Sequence, residues 1–384
     1  MRRIFVMRRK RCIFTAYYAV IMYIHQKDNW TDFKWDHEQI LPLLGNVRHL
    51  QGRLIGKMGN LGFRLQEEAM LTTLTLDVLK TSEIEGELLN KEQVRSSIAR
   101  RLGLEVSGLV DSSRNVDGIV EVMLDATQHY SLPLTEGRLF GWHAALFPTG
   151  HSGMNKIEVA KFRSGEMQVV SGAMGKEKVH YEAPKGGLVE MEMTKFLQWF
   201  NNGAQVDPVL KAAIAHFWFV TIHPFDDGNG RIARAVADMQ LTRSDGSPQR
   251  FYSMSNQILT ERKKYYQILE KTQRSDSDIT EWLVWFLSCM ERALQNSEDI
   301  LNAVLVKARF WERHKQTNLN ERQRLIINKL LDGFDGKLTS SKWGKIAKVS
   351  SDTALRDIQD LMGKGILQKE AQGGRSTSYE LIID

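Results

Sequence analysis

From residue 37 to residue 79 apolar side chains recur three and four positions apart, at Ile40, Leu43, Leu44, Val47, Leu50, Leu54, Met58, Leu61 and Leu65. That is the period of one helix face. Gly56, Gly59 and Gly62 interrupt the stripe, which predicts two helices with a break or a close crossing. Residues 70–79 continue as a buried helix that ends at Lys80, before the polar string TSEIEGE. Amphipathic stretches follow at 90–102, 116–130, 134–146, 189–201, 208–222 and 231–241, and after Ser275 at 279–295 and 297–316. Residues 161–184 break this period. They alternate apolar and polar around Gly165, Gly172 and Gly175, with Val169, Val170, Val179 and Tyr181 favouring strand, and so predict a β-hairpin flap.

Near Asn318 the composition changes again. Helical segments at 321–331, 340–347 and 351–362 precede two short alternating runs around Gly373-Gly374. Three helices and a hairpin are the order of a winged helix-turn-helix. In such a module residues 351–362 would be the recognition helix and 373–375 the wing tip. The helix carries three Asp and one Arg, which weakens a phosphate-contacting role. DNA docking and protein docking both stay open for this module. The fold class is thus mainly α, with a hairpin flap and a C-terminal winged helix. The expected divisions are 1–27, an N-terminal extension; 28–115, a helical region; 116–316, the chemistry-bearing block; and 320–384.

Composition adds limits. The chain has 384 residues with 42% hydrophobic content, enough for more than one core. Cys12 and Cys289 are its two cysteines. They build neither a disulfide framework nor a Cys-rich zinc site, which fits a reducing, cytoplasmic setting. A net charge of +6 permits an anionic ligand or nucleic acid and selects neither. The opening 27 residues pair a cationic start with an apolar run from Cys12 to Ile24. The run is too short to span a bilayer and has no small-x-small cleavage site after it. The reading favoured is an upstream start, with Met22 the more natural first residue; the alternative is a targeting segment.

Chemistry concentrates in HPFDDGNGRIAR, residues 223–234. An apolar helix delivers the chain to a Gly-Asn-Gly loop and a second helix starts near Arg231. Such a loop exposes backbone N–H groups beside the positive end of a helix dipole, an arrangement suited to phosphate. Arg231 and Arg234 lie near one face of that helix and can each grip a phosphate bidentately. Asp226 offers a hard oxygen for Mg²⁺. His223 has the near-neutral pKa needed to take a proton from an incoming hydroxyl. Together these residues suggest phosphoryl or nucleotidyl transfer.

The string resembles the HPF-(D/E)-x-GNGR-x-x-R signature of the Fic family and matches all its defined positions. The resemblance extends over roughly residues 30–315, making 116–316 a Fic catalytic domain. It implies an adenylyltransferase that moves AMP from ATP to a Ser, Thr or Tyr hydroxyl of a target protein. Carried over by position, His223 is the general base and Asp226 holds Mg²⁺ against the phosphates. Asn229 stabilises the α-phosphate, Gly228 and Gly230 line the anion hole, and Arg231 and Arg234 take the outer phosphates. The flap around 169–175 aligns the acceptor by strand addition. Weaker carry-overs place Ser82 near the nucleotide and Tyr265 or Tyr266 near the adenosine.

TSEIEGE also resembles the Fic inhibitory motif through Thr81, Glu85 and Gly86. The implied brake is Glu85 paired with Arg234, taking the guanidinium that the γ-phosphate needs. A plainer reading makes Gly86 an αL helix cap, and both can hold. Alternatives stay open: removal of AMP, transfer of another nucleotide or phosphate-containing group, or a DNA-binding regulator that uses the domain as a sensor. A homodimer is left open too.

Overall fold

The glycine-rich break is where the first two helices part. The computed structural model describes residues 4–7, 22–106, 108–172, 176–202, 206–334, 336–370 and 377–383. Within it β1 (Ile4–Met7) precedes α1 (His37–Gly59), and α1 starts at Asp36, whose carboxylate accepts from the N–H groups of Glu38 and Gln39. After Gly62 comes α2 (Phe63–Ile84). It runs four residues past the expected end at Lys80, so Thr81 and Ser82 are helical. No breaker stands before Gly86, whose φ of +88° ends the run.

Next come α3 (Lys91–Leu102), α4 (Arg114–Gln128) and α5 (Glu136–Leu146), then a small pair, β2 (His151–Ser152) and β3 (Asn155–Lys156). The predicted flap is present as β4 (Gln168–Ser171) and β5 (Lys178–Glu182), antiparallel, with β1 on the other edge of β4. A bulge in β5 places His180 opposite the Val169–Val170 step as an extra residue. Helices α6 (Gly186–Asn201), α7 (Pro208–Ile222), α8 (Asn229–Asp245), α9 (Met254–Thr260), α10 (Arg262–Thr272) and α11 (Thr280–Arg313) follow. The sequence pattern predicts neither α9 nor α10. It also predicts two helices where α11 is one, because no Gly or Pro interrupts residues 280–313.

The chain divides into two compact units, one of Met1–Leu104 with Leu109–Ser297 and one of Glu105–Gly108 with Glu298–Asp384. In the first, α7 is apolar on every face and buried from Val209 to Ile222. It packs chiefly along α8, and its Phe217 and Trp218 meet the rings of Trp282 and Phe196. The second unit holds α12 (Glu321–Leu331), α13 (Ser340–Ala347), α14 (Ser351–Gly363) and the antiparallel pair β6 (Leu367–Lys369) and β7 (Tyr379–Leu381). Ile326, Ile327, Trp343, Ile358 and Leu361 form its core. In α14, Asp357 pairs with Arg322 at 2.8 Å and Asp360 accepts from Gln323. The expected wing tip at 373–375, the flap turn at 173–175 and residues 12–21 of the N-terminal run lie outside the described residues. Among the described residues no helix is long and apolar enough to cross a membrane.

Helices α4 and α5 cross closely enough that a Cβ on Gly118 would lie 1.9 Å from the Ala145 carbonyl oxygen. Gly118→Ala should therefore cost about 2 to 3 kcal/mol of stability, the scale of core overpacking. A lower urea midpoint at unchanged slope would show it; an unmoved midpoint would contradict the close crossing.

Candidate functional site

An α-helix leaves its last carbonyls without intrahelical partners, and the end of α7 uses this. His223 caps α7 with φ +53° in the left-handed region. Its N–H donates to the Phe219 carbonyl at 3.0 Å, and its ring Nδ1 lies 3.2 Å from the Val220 carbonyl. A carbonyl can only accept, so Nδ1 carries the proton and Nε2 keeps its lone pair. Burial, aided by the Arg163 charge, lowers the His223 pKa to about 4. The imidazole is neutral near pH 7, the form a general base requires.

The following turn closes on itself. The Asn229 side chain accepts from Phe225 N at 2.9 Å and donates to Phe225 O at 2.8 Å, a stapling role that its sequence position does not reveal. Asp227 accepts from Gly228 N and from the Ser152 hydroxyl. Asp226 accepts from Glu158 N at 3.0 Å. Gly228, at φ +80°, starts α8, and a Cβ there would sit 2.8 Å from the Phe147 ring. His143 stacks on Phe225 at 4.3 Å and bridges Ala160 N to the Asp227 carbonyl.

At the start of α8 the two arginines meet the end of α2. Glu85 Oε1 lies 2.8 Å from Arg234 Nη2, while Thr81 accepts from the same guanidinium through its hydroxyl at 2.7 Å and its carbonyl at 3.0 Å. A Cβ on Gly230 would stand 2.3 Å from Glu85 Oε1, so that carboxylate fills the space over the loop that only glycine leaves open. Burial, the largest single influence, depresses the Arg234 pKa; the Glu85 charge and hydrogen bond, together with Tyr265 and Tyr266, outweigh it and the pKa rises. One turn earlier, Arg231 pairs with Glu87 at 3.1 Å and lies over the Phe147 ring. Arg231 Nε and Arg234 Nη1 are buried with no hydrogen-bond partner among the described residues. Two orphaned cationic donors over a glycine loop suit a polyphosphate.

Of the remaining expected residues, Ser82 is buried on the last turn of α2, its hydroxyl without a partner among the described residues. Tyr265 is core: 1% exposed, hydrogen-bonded to His216 at 2.9 Å, its pKa pushed up to about 12 by burial. Tyr266 is half-buried, its ring tilted against that of Tyr265; burial and then the Glu85 charge raise its pKa. The flap is tied to α10 through His180, which sits 2.6 Å from the Ser171 hydroxyl and 2.7 Å from Glu270. Glu87, His143 and Arg163 escape the sequence reading. Only Glu87 had a signal, as a second acid two residues beyond Glu85 facing arginines three apart.

The Fic/DOC family matches residues 133–241, which hold the whole turn and both arginines. The chain carries a Fic domain. A second match, to the Domain of unknown function (DUF4172), covers residues 23–104 and hence Glu85 and Glu87. Among relatives of the Fic domain, the protein adenylyltransferase Fic of Drosophila ananassae is 26% identical over 221 residues, and that of Drosophila virilis 27% over 215. These alignments take in 56% and 55% of this chain but 40% of each relative's length. A Fic family protein from Desulfovibrio desulfuricans G20 shares the fold, with a TM-score of 0.50, 21% identity, and coverage of 90% of this chain and 97% of that one.

Burial also lowers the pKa of His25 and His143 to about 4 and of His216 to about 3. These imidazoles and that of His223 titrate near 6.5 when unfolded, so between pH 6.5 and 4 the unfolded chain binds more protons than the folded one. Their contribution is complete above pH 6.5 and is lost as pH falls through that window. Thermal melting should therefore drop steadily from pH 6.5 to 4, with a shallower slope in His143→Gln. A flat profile would contradict the burial of these rings.

Proposed function

We propose that this Fic-domain protein transfers AMP from ATP to a hydroxyl group of a protein, and that carboxylates at the end of α2 hold it in check. The single observation behind this reading is the pairing of Glu85 with Arg234 across the glycine loop. The names of its relatives support the chemistry, within the 40% of their length that aligns.

In this mechanism His223 Nε2 takes the proton of the acceptor hydroxyl. The hydroxyl oxygen bonds to the α-phosphorus as the α–β phosphoanhydride bond breaks, and pyrophosphate leaves. The N-terminal amides of α8 and the side chains of Arg231 and Arg234 meet the negative charge of the polyphosphate. Asn229 holds the loop in shape through Phe225. Asp226 is the residue to hold Mg²⁺, since that ion commonly takes one or two protein carboxylates and completes its shell with phosphate oxygens and water. Among the described residues no group of three or more His, Cys, Asp or Glu could hold a metal, so the nucleotide itself would have to complete the site. Bound there, the ion would offset charge on the phosphates.

At rest both arginines are occupied, Arg234 by Glu85 and Arg231 by Glu87. Arg234 is more deeply buried than Arg231 and its contact is the shorter, 2.8 Å against 3.1 Å, so the Glu85 pair is the stronger restraint. Glu85→Gly should raise transfer by a factor between about 5 and 150, the usual range of such couplings. Adding Glu87→Gln should raise it further. The check is retention of label on protein from [α-³²P]ATP but not from [γ-³²P]ATP. Retention of the γ-label instead would assign kinase chemistry. In the brake-released chain, His223→Ala should lower transfer by about 10³-fold without altering the unfolding curve; near-native transfer would remove His223 from the mechanism.

A further inference from the structure

The carbonyls at the end of α7 can be accounted for one by one. Phe219 O accepts from His223 N, and Val220 O faces the His223 ring. Thr221 O accepts from the Tyr181 hydroxyl of β5 at 2.6 Å. The next three all go to one residue. Arg163 donates from Nη2 to Ile222 O at 3.2 Å, from Nε to His223 O at 2.7 Å, and from its backbone N–H to Pro224 O at 2.9 Å.

The same guanidinium holds the flap at both its ends. Nη1 donates to Gly165 O at 2.7 Å, before β4, and Nη2 to Pro184 O at 2.6 Å, after β5. The segments entering and leaving the flap touch there, since a Cβ on Gly186 would lie 2.0 Å from Ser164 O. Arg163 is 2% exposed and forms no carboxylate ion pair among the described residues; burial lowers its pKa only to about 10, so it stays charged at neutral pH. A buried cation whose donors all go to carbonyls is costly unless those carbonyls need it. These do, being either helix-terminal orphans or flap ends that pair with no strand.

We propose that Arg163 is the positioning residue that fixes the acceptor-aligning flap to the His223 turn, so that base and acceptor hydroxyl keep one register. This rests on the transfer reading above. It gives the flap a rigid base on the side of His223, and gives His223 its left-handed conformation through bonds to the carbonyls on either side of it.

The test compares Arg163→Ala and Arg163→Lys in the Glu85→Gly background. Lysine keeps the charge and loses the planar fork. Transfer of label from [α-³²P]ATP to the chain itself should fall about 100-fold in Arg163→Ala, the scale of an ångström misplacement, while MgATP affinity stays within threefold. Guanidinium added to Arg163→Ala should recover part of the loss, and Arg163→Lys should lie between the two. Independently of activity, amide exchange should quicken together at 165–172, 176–184 and 222–225 in Arg163→Ala, and guanidinium should reverse it. Transfer retained within threefold, or exchange that rises in the flap alone, would overturn the proposal. A Glu85→Gly chain with no transfer at all would count against the function reading, and the exchange pattern would still decide the role of Arg163.

Discussion

A guanidinium removed from water needs an acceptor for every donor or a negative charge beside it, and Arg234, 2% exposed, faces a carboxylate. Its position on the second turn of α8 aims it at the space above the glycine loop, where an anion sits most favourably. At rest the anion is Glu85, whose carboxylate lies against the backbone of Gly230. A bound triphosphate would offer the same kind of oxygen in the same place. In the proposed function the brake and the binding site are therefore one feature with two occupants, and what distinguishes them is the placing of α2.

That placing is itself built from buried polar contacts. Asp77, near the middle of α2, accepts from the Ser253 hydroxyl and from Ser255 N at the start of α9. Thr81, one turn on, bonds Arg234 twice. Moving Glu85 far from the loop would break contacts along the last two turns of α2. A rotation of the Glu85 side chain would break only the ion pair and leave the Thr81 bonds intact. On the opposite side of the loop, the end of α7 sets His223 in the left-handed region, with Nδ1 committed to Val220 O. In the proposed mechanism the base thus comes ready in tautomer and charge, and the arginines would be where access is controlled.

Much of this was readable from residue order. The periodic stripes mark all the described α-helices but α9 and α10 because apolar faces repeat at fixed intervals, and the alternation at 161–184 marks the flap. The twelve-residue turn carries its chemistry in consecutive positions, so His223, Arg231 and Arg234 could be named directly. Helices α9 and α10 were less legible, since 251–272 is short, polar and broken at Glu261. The continuation of α2 through Thr81 was hidden because its residues are polar but meet a buried partner, Arg234. Arg163 and Asp77 act through carbonyls and hydroxyls contributed by segments tens to hundreds of residues away, and no local pattern records such meetings. The two tyrosines separate only in their burial, Tyr265 becoming core and Tyr266 half-buried, while both feel the charges of Glu85 and Arg234.

The most direct measurement is the affinity of the Glu85→Gly chain for ATP and for AMP, each with Mg²⁺, set beside the unaltered chain. If Glu85 occupies the place of an outer phosphate, ATP should tighten by about tenfold, the worth of one charge-assisted bond regained, while AMP stays within twofold. Equal tightening of both nucleotides, or an unchanged ATP affinity, would contradict the claim that carboxylate and phosphate compete for Arg234.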